Sequence, residues 1–339
     1  MIELDGRKYE GGGSLLRTGL SLSAVSGVPF KINNIRGNRS NPGLRPQHLN
    51  AVKAVAELCN ANISDLKVGS NVLTFEPRKI ESKIINIDVG TAGSTTLILQ
   101  SILPAAIYSK KNVEIYITGG TNNKMAPPID NFFLVFFPLL NKFGVKIDCE
   151  LRRRGYYPKG GGKIFARVLP TNITKIDLTE KGELIEIEGI VNASEELKKP
   201  LVAEREIESA TKNLKKLNIP INIKKEYGKT SSIGNSISLC AKFENTIIGA
   251  DSFGKRGKSS EEVGKECAKI LLHRINQNGC VDTNMTDQLI PYIAIWGGKI
   301  KTHEISMHTK TNMWVAEKLL NVEFDVEDNV IECKKPFKN

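Results

Sequence analysis

The sequence predicts an α/β (α+β) protein with a large domain and a smaller inserted α/β domain. Along residues 29–170, short segments with the apolar alternation of strands are separated by segments with the apolar spacing of helices. Residues 183–278 differ, because their predicted helices are highly charged and their predicted strands follow one another. Motif-like segments then become frequent again between Asp282 and Asn312. At 339 residues, the chain is about two average domains long. We therefore predict a large domain of residues 1–182 plus 279–339 and an insert of residues 183–278.

The first half of the chain supplies five predicted strands, because apolar and polar residues alternate in them and turn residues end them. They are residues 29–35, 71–77, 84–90, 113–120 and 162–170. Four segments between the strands carry apolar residues at helical spacing, with Gly27 and Gly144 as expected helix stops. These predicted helices are residues 15–27, 46–61, 94–109 and 129–144. Glycine clusters recur at strand junctions, but their similarity is too weak to establish an internal repeat.

Within the insert, the pattern predicts helix, strands and a second helix. Residues 197–218 form a charged amphipathic segment, residues 236–254 alternate as strands do, and residues 260–277 return to helical spacing. We expect this segment to form a module of its own.

Composition narrows the class of protein. Lys and Arg outnumber Asp and Glu by 48 to 37, and the net charge of +11 favours polyanionic partners without proving one. No apolar run reaches the roughly 18 residues typical of a membrane span. The six cysteines are far apart with no C-x-x-C pair, which fits neither a zinc site nor a disulfide scaffold. We expect a soluble cytoplasmic protein with reduced thiols and no membrane partner. A homo-oligomeric state is left open.

The most informative segment is RGYYPKGGGKI, residues 154–164. Three consecutive glycines allow positive φ and bring backbone N–H groups close to an anion, and Lys159 and Lys163 add positive charge beside them. A tight glycine-rich hairpin without a ligand is the alternative, and the glycines alone do not decide between the two.

This segment resembles the signature of the RNA 3′-terminal phosphate cyclases. Further stretches from residue 1 to about residue 320 resemble the same family, and residues 190–275 match only weakly. The matching stretches are YEGGGSLLRTGLSLS (9–23), NPGLRPQHL (41–49), GTAGSTTLILQSILPA (90–105), GGTNNKMAPPIDN (119–131), DQLIPYIAI (287–295) and HTKTN (308–312). The resemblance implies a large domain of three βαβαββ-type repeats, as in the EPSP synthase and RNA cyclase fold, with a smaller inserted domain.

His308 is the predicted catalytic residue. The family pattern places here the histidine that becomes covalently adenylated, and a neutral imidazole has a ring nitrogen able to attack phosphorus. Without the family, a capping or hydrogen-bonding histidine would be the commoner interpretation. The resemblance also assigns Glu10 as the ligand of Mg²⁺ or Mn²⁺, a role that suits a carboxylate beside a flexible glycine turn.

The remaining predicted site residues divide between ATP and RNA. For the ATP pocket, the resemblance nominates Gln100, Pro128 and Asp287, with Tyr156 and the loop Gly160, Gly161 and Gly162 nearby; Asp287 is expected either to bind the nucleotide or to orient His308. For the RNA 3′-phosphate, the planar donors of residues 36–48 and the first helix suggest Arg17, Arg39, Arg45, Gln47 and His48. Pro46 follows Arg45 where the family pattern has a further basic residue, so the individual arginine roles stay open. Surface salt bridges and a solvated basic loop are the alternatives.

Together these features predict an ATP-dependent RNA 3′-terminal phosphate cyclase that acts through a histidine-AMP intermediate on RNA bearing a 3′-terminal phosphate. A non-catalytic RNA-binding paralogue acting in ribosomal RNA processing is the main alternative, and His308 argues against it. An enolpyruvyl transferase of related architecture is a second alternative, which needs no histidine adenylation.

Overall fold

The computed structural model describes residues 1–337, and it confirms a mixed α/β protein. Within those residues, the strands form four sheets of four strands each. The strands are β1 (Ile2–Asp5), β2 (Phe30–Asn33), β3 (Asn62–Ile63), β4 (Leu73–Glu76), β5 (Lys83–Asp88), β6 (Val113–Gly119), β7 (Ile147–Arg153), β8 (Gly162–Val168), β9 (Ile176–Leu178), β10 (Leu184–Ser194), β11 (Ile221–Gly228), β12 (Asn235–Phe243), β13 (Ile247–Phe253), β14 (Gly298–Lys301), β15 (Glu323–Glu327) and β16 (Val330–Lys335).

The helices begin and end close to the sequence predictions. Gly27 takes the left-handed conformation at the end of the first helix, as its expected role as a stop requires. The α-helices are α1 (Gly13–Ser26), α2 (Pro46–Cys59), α3 (Thr95–Tyr108), α4 (Ile129–Asn131), α5 (Phe137–Lys142), α6 (Val202–Leu214), α7 (Ser260–Asn276), α8 (Thr283–Trp296) and α9 (Met307–Leu320). The predicted helix at 129–144 is α4 and α5 joined by a π-helical segment, Phe132–Phe136.

Three of the sheets share one topology, which confirms the three βαβαββ repeats. In each, the first two strands are parallel, the fourth strand pairs antiparallel with the second, and the third strand lies at the edge. The strand orders are β1-β2-β4-β3, β5-β6-β8-β7 and β9-β14-β16-β15. Helices α1, α2, α3, α8 and α9 contact one another, so the helices of different repeats share one core.

The fourth sheet, β11-β10-β12-β13, lies in the chain between β9 and α8, inside the third repeat. It packs against α6 and α7 around a hydrophobic core of its own, with Ile187, Leu239 and Leu271 among the fully buried side chains. Strands β10 and β11 were absent from the sequence prediction. The boundaries at residues 183 and 278 stay a prediction.

A buried polar network joins this fourth sheet to the second repeat. The Arg154 guanidinium donates to both oxygens of Asp130, each at 2.8 Å, and also to Glu226 on β11. Asn122 and Asn192 each donate to Oδ2 of Asp130, at 2.9 and 2.8 Å. Because a buried charge is costly unless it is paired and hydrogen-bonded, these contacts fix where the fourth sheet docks.

The cysteines and the helices bear on the class of protein. All six cysteines are free, with no disulfide within residues 1–337. Over the same residues, no helix combines the length and the apolar character that crossing a bilayer requires.

Replacing Arg154 by Met is expected to lower the free energy of unfolding by roughly 3–5 kcal/mol, because it leaves Asp130 buried without its counter-ion. Urea unfolding followed by circular dichroism measures the change. Arg205 and Glu261 form a matched exposed pair at 2.7 Å, and Arg205→Met should change stability little. Equal effects of the two substitutions would contradict a dominant role for the buried pair.

Candidate active site

The site is built around the glycine turn that precedes α1. Gly11 has a φ of +62°, and Gly12 and Gly13 pass close to charged side chains. A Cβ atom at Gly13 would lie 2.6 Å from His48 Nε2 and 2.9 Å from a guanidinium nitrogen of Arg17. The glycines are therefore required here because side chains from three different segments converge on the turn.

Glu10 lies at the centre of this convergence, and its side chain is only 8% exposed. Its Oε2 accepts a hydrogen bond from the Gly12 N–H at 2.7 Å, and its Oε1 pairs with the Arg39 guanidinium. The same Oε2 lies 3.8 Å from Nδ1 of His308. Glu10 and His308, 298 positions apart in the sequence, are thus neighbours in space.

His308 occupies the first turn of α9, and Asp287 on α8 holds that turn. Ser306 caps the helix, and its hydroxyl donates to Asp287 Oδ1 at 2.7 Å, while the Thr309 hydroxyl donates to the same oxygen at 2.5 Å. Burial lowers the pKa of His308, although Asp287 opposes that shift. The imidazole is therefore neutral at pH 7, and one ring nitrogen has a free lone pair.

Asn312 anchors α9, the helix that carries His308. Its Oδ1 accepts hydrogen bonds from Ser14 and Thr18 of α1, both at 2.8 Å, and its Nδ2 donates to the Asp287 carbonyl oxygen at 2.7 Å. Asn312 lies one helical turn after His308. The sequence prediction missed this residue, although its position four residues after the candidate nucleophile was a usable signal.

A cavity of about 490 Å³ opens beside His308. Its lining includes five of the predicted residues: Arg17, Gln100, Pro128, Asp287 and His308. Burial lowers the pKa of Arg17 to about 10, with Asp287 opposing the shift, so its guanidinium remains charged at pH 7. Within residues 1–337, Arg17 makes no hydrogen bond or ion pair through that guanidinium. It is a cation available to an anionic ligand.

The fourth sheet and its helices also reach the cavity, which the sequence did not predict. Asp251 and Phe253 of β13 and Ile270 and Arg274 of α7 contribute to the lining. Asp251 accepts a hydrogen bond from Asn131 at 3.0 Å, and burial raises its pKa to about 7. Lining residues that the prediction also missed include Lys124, Asn131, Asp282, Asn284, Gln288 and Tyr292.

The predicted RNA-end residues surround the start of α2. The Arg45 backbone N–H donates to Nδ1 of His48 at 3.3 Å, so the neutral His48 ring carries its proton on Nε2, facing Gly13. Arg45 itself is exposed and Arg39 is held by Glu10. Gln47 instead accepts a hydrogen bond from the Ser94 N–H at 3.0 Å, which ties α2 to the start of α3.

The glycine loop and Tyr156 lie elsewhere. Among residues 1–337, the cavity lining does not include Tyr156, Gly160, Gly161 or Gly162. Tyr156 is buried and donates to Asn192 at 2.6 Å, and a Cβ atom at Gly160 would lie 2.8 Å from the Ala92 Cα. The structure therefore does not bring the predicted nucleotide loop to the cavity; its glycines permit close backbone packing.

Comparison with known proteins shows which family the chain belongs to. A family model described as RNA 3′-terminal phosphate cyclase matches residues 8–326. The chain belongs to this family. A Pyrococcus furiosus protein named RNA 3′-terminal phosphate cyclase is 45% identical over 98% of this chain and 97% of its own length. Proteins of the same name from Saccharolobus islandicus and Saccharolobus solfataricus are 44% and 42% identical, each over 100% of this chain and 98% of their own length.

The protonation of His48 should make stability pH-dependent. Burial, with the positive charges of Arg17, Arg36, Arg45 and Arg39, lowers the pKa of His48 to about 3. Below about pH 6.5, His48 is protonated in the unfolded chain but stays neutral in the folded chain. The free energy of unfolding therefore falls as pH falls. Relative to His48→Gln, the wild-type protein should lose about 2 kcal/mol of unfolding free energy between pH 7 and pH 5.

Urea unfolding of both proteins at a series of pH values measures this difference. His273→Gln is the matched control, since His273 lies on the exposed side of α7. Parallel pH profiles for wild type and His48→Gln would show that His48 is not kept neutral by the fold.

Proposed function

We propose that this protein is an ATP-dependent RNA 3′-terminal phosphate cyclase that works through a covalent histidine-AMP intermediate. The observation that carries the proposal is the placement of the neutral His308 ring at a cavity that also holds the unpaired Arg17 guanidinium. A nucleophile beside a fixed cation suits attack on a phosphate. The names of the relatives support the same activity.

In the first step, a ring nitrogen of His308 attacks the α-phosphorus of ATP. A P–N bond forms, the bond to the bridging oxygen breaks, and pyrophosphate leaves with the electron pair. Asp287 and Ser306 hold the first turn of α9, so the ring is positioned before the substrate arrives. Arg17 would offset the negative charge that develops on the phosphate oxygens.

Glu10 fits the role of a divalent metal ligand only if the substrate supplies further ligands to the ion. Within residues 1–337, no group of three or more His, Cys, Asp or Glu side chains is arranged to hold an ion. Mg²⁺ commonly takes one or two carboxylates and completes its shell with phosphate oxygens and water. Glu10 would hold Mg²⁺ or Mn²⁺ together with ATP, and the ion would neutralise phosphate charge there.

The next two steps transfer the activation to RNA. A 3′-phosphate oxygen attacks the phosphorus of the histidine-bound AMP, the P–N bond breaks, and RNA(3′)pp(5′)A forms. The adjacent 2′-hydroxyl then loses its proton and attacks the 3′-phosphorus, and AMP leaves as the 2′,3′-cyclic phosphate closes. This last step is intramolecular, so positioning supplies much of its acceleration. Arg45, exposed beside His48, is the proposed contact for the RNA 3′-phosphate. A cytoplasmic location and a homo-oligomeric state stay predictions.

His308→Asn should abolish protein labelling by ATP labelled at the α-phosphate. Asn keeps polarity and approximate size but lacks the nucleophilic ring nitrogen. In the wild-type protein, the label should be acid-labile and stable to alkali, as a phosphoramidate is. Denaturing electrophoresis after acid or alkali treatment measures it. The variant should still convert preformed RNA(3′)pp(5′)A to the cyclic phosphate, because the 2′-hydroxyl is the nucleophile in that step.

His303→Asn is the matched control, and it should leave labelling intact. Retained labelling in His308→Asn would assign the AMP to another residue. A wild-type protein that binds RNA but takes up no label would favour the non-catalytic RNA-binding alternative.

Glu10→Gln should remove the ATP-dependent part of Mn²⁺ binding while leaving the fold intact, because the amide keeps its size and loses its charge. Electron paramagnetic resonance of free Mn²⁺, titrated with and without ATP, measures this part directly. Glu3→Gln, an exposed change on β1, is the control. Unchanged ATP-dependent Mn²⁺ binding in Glu10→Gln would remove Glu10 from the metal site.

A further inference from the structure

The tip of the β7–β8 hairpin is a basic and aromatic surface that the proposed reaction does not use. Tyr157 is 78% exposed, so its ring is open to contact with a ligand. Arg153, Lys159 and Lys163 are exposed around it. We call these four residues the hairpin-tip surface.

Two of its basic residues occupy facing backbone positions, and the Arg153 guanidinium donates to the Ser231 hydroxyl at 2.7 Å. Arg153 and Lys163 are paired across β7 and β8. Like charges at facing positions of a sheet destabilise it. Within residues 1–337, neither side chain forms an ion pair with a carboxylate. Elsewhere in the same sheet, Arg167 pairs with Glu114 at 2.9 Å. An unneutralised cation pair at the hairpin tip is the arrangement expected where an external polyanion binds.

The hairpin-tip surface is connected to the cavity through one short loop. Gly160 packs against the backbone of Thr91 and Ala92. On its other side, the Ala92 carbonyl oxygen accepts a hydrogen bond from Asn123 at 2.7 Å, and the next residue, Lys124, lines the cavity. A chain leaving the cavity across this loop would therefore meet the hairpin tip.

We infer that the hairpin-tip surface binds the single-stranded RNA that precedes the 3′-terminal phosphate. This inference rests on the proposed function and extends it to the substrate's body. Exposed aromatic rings stack on bases, and lysines and arginines track the phosphates between them. Gly160 then has a positioning role, because it lets the tip approach the loop at Thr91 and Ala92. A ligand-free hairpin would explain the glycines but neither the exposed Tyr157 nor the facing cations.

The test measures binding of fluorescent oligoribonucleotides with a 3′-phosphate, in lengths from about two to about twelve nucleotides. Tyr157→Ala should weaken binding of the longest oligonucleotide roughly 5- to 150-fold and leave the dinucleotide unchanged. Tyr157→Phe keeps the ring and should bind every length as the wild type does. Equal affinities of Tyr157→Ala and wild type for the longest oligonucleotide would overturn the inference, as would an equal loss at every length.

Lys163→Gln gives a second test, in which thermal stability and RNA binding are not expected to fall together. It removes one of two facing cations, so thermal stability should rise or stay level, whereas long-oligonucleotide binding weakens and its salt slope falls by about 0.7. Lys146→Gln is the matched control, because Lys146 precedes β7 at the end of the strand away from the tip. A lower melting temperature in Lys163→Gln with unchanged RNA binding would assign Lys163 a structural role instead.

These outcomes separate the two proposals. Binding is measured without catalysis, so a protein that binds long oligonucleotides through Tyr157 but forms no cyclic phosphate would contradict only the proposed reaction. A protein that forms the cyclic phosphate but is indifferent to changes at Tyr157 and Lys163 would contradict only the hairpin-tip inference.

Discussion

The buried carboxylate of Asp130 is the constraint on which the assembled site depends. It is 2% exposed, and it receives two hydrogen bonds from Arg154 and one each from Asn122 and Asn192. These donors come from three separate parts of the chain. Removing any of them would leave the buried carboxylate without one of its hydrogen bonds. Satisfying Asp130 therefore docks the fourth sheet on the second repeat, and that docking brings Asp251 and Arg274 to the cavity.

Much of the fold was predictable because its signals are local. The helix at 46–61 and the strand at 113–120 follow from residue periodicity alone, and the model gives 46–59 and 113–119. The common strand order of the three repeats is set by pairing between distant strands, so the sequence carried it only through the family resemblance. Strand β11 was missed because it runs INIKKEYG and its two adjacent lysines interrupt the alternation of apolar residues.

The site was predicted in part, because some of its residues stand in motifs that can be read locally. Glu10, Arg17, Asp287 and His308 stood in motifs, and the structure brings them together. Asn312 stood in the HTKTN motif too, but its role is defined by hydrogen bonds to α1 and α8 that the motif does not reveal. The triple glycine suggested a nucleotide loop, and in the structure Gly160 packs against the backbone of Thr91 and Ala92. Glycine permits a close approach by a ligand or by another stretch of backbone, and composition cannot distinguish the two.

The hydrogen bonds from Ser14 and Thr18 to Asn312 span 298 and 294 residues of sequence. A ribosome releases α1 long before it has made α9, so Ser14 and Thr18 lack their partner until Asn312 has emerged. The order of synthesis thus delays the assembly of this site until α9 has been made. A truncated chain ending before α9 would lack both His308 and the asparagine that anchors its helix, so the first repeat alone cannot form this site.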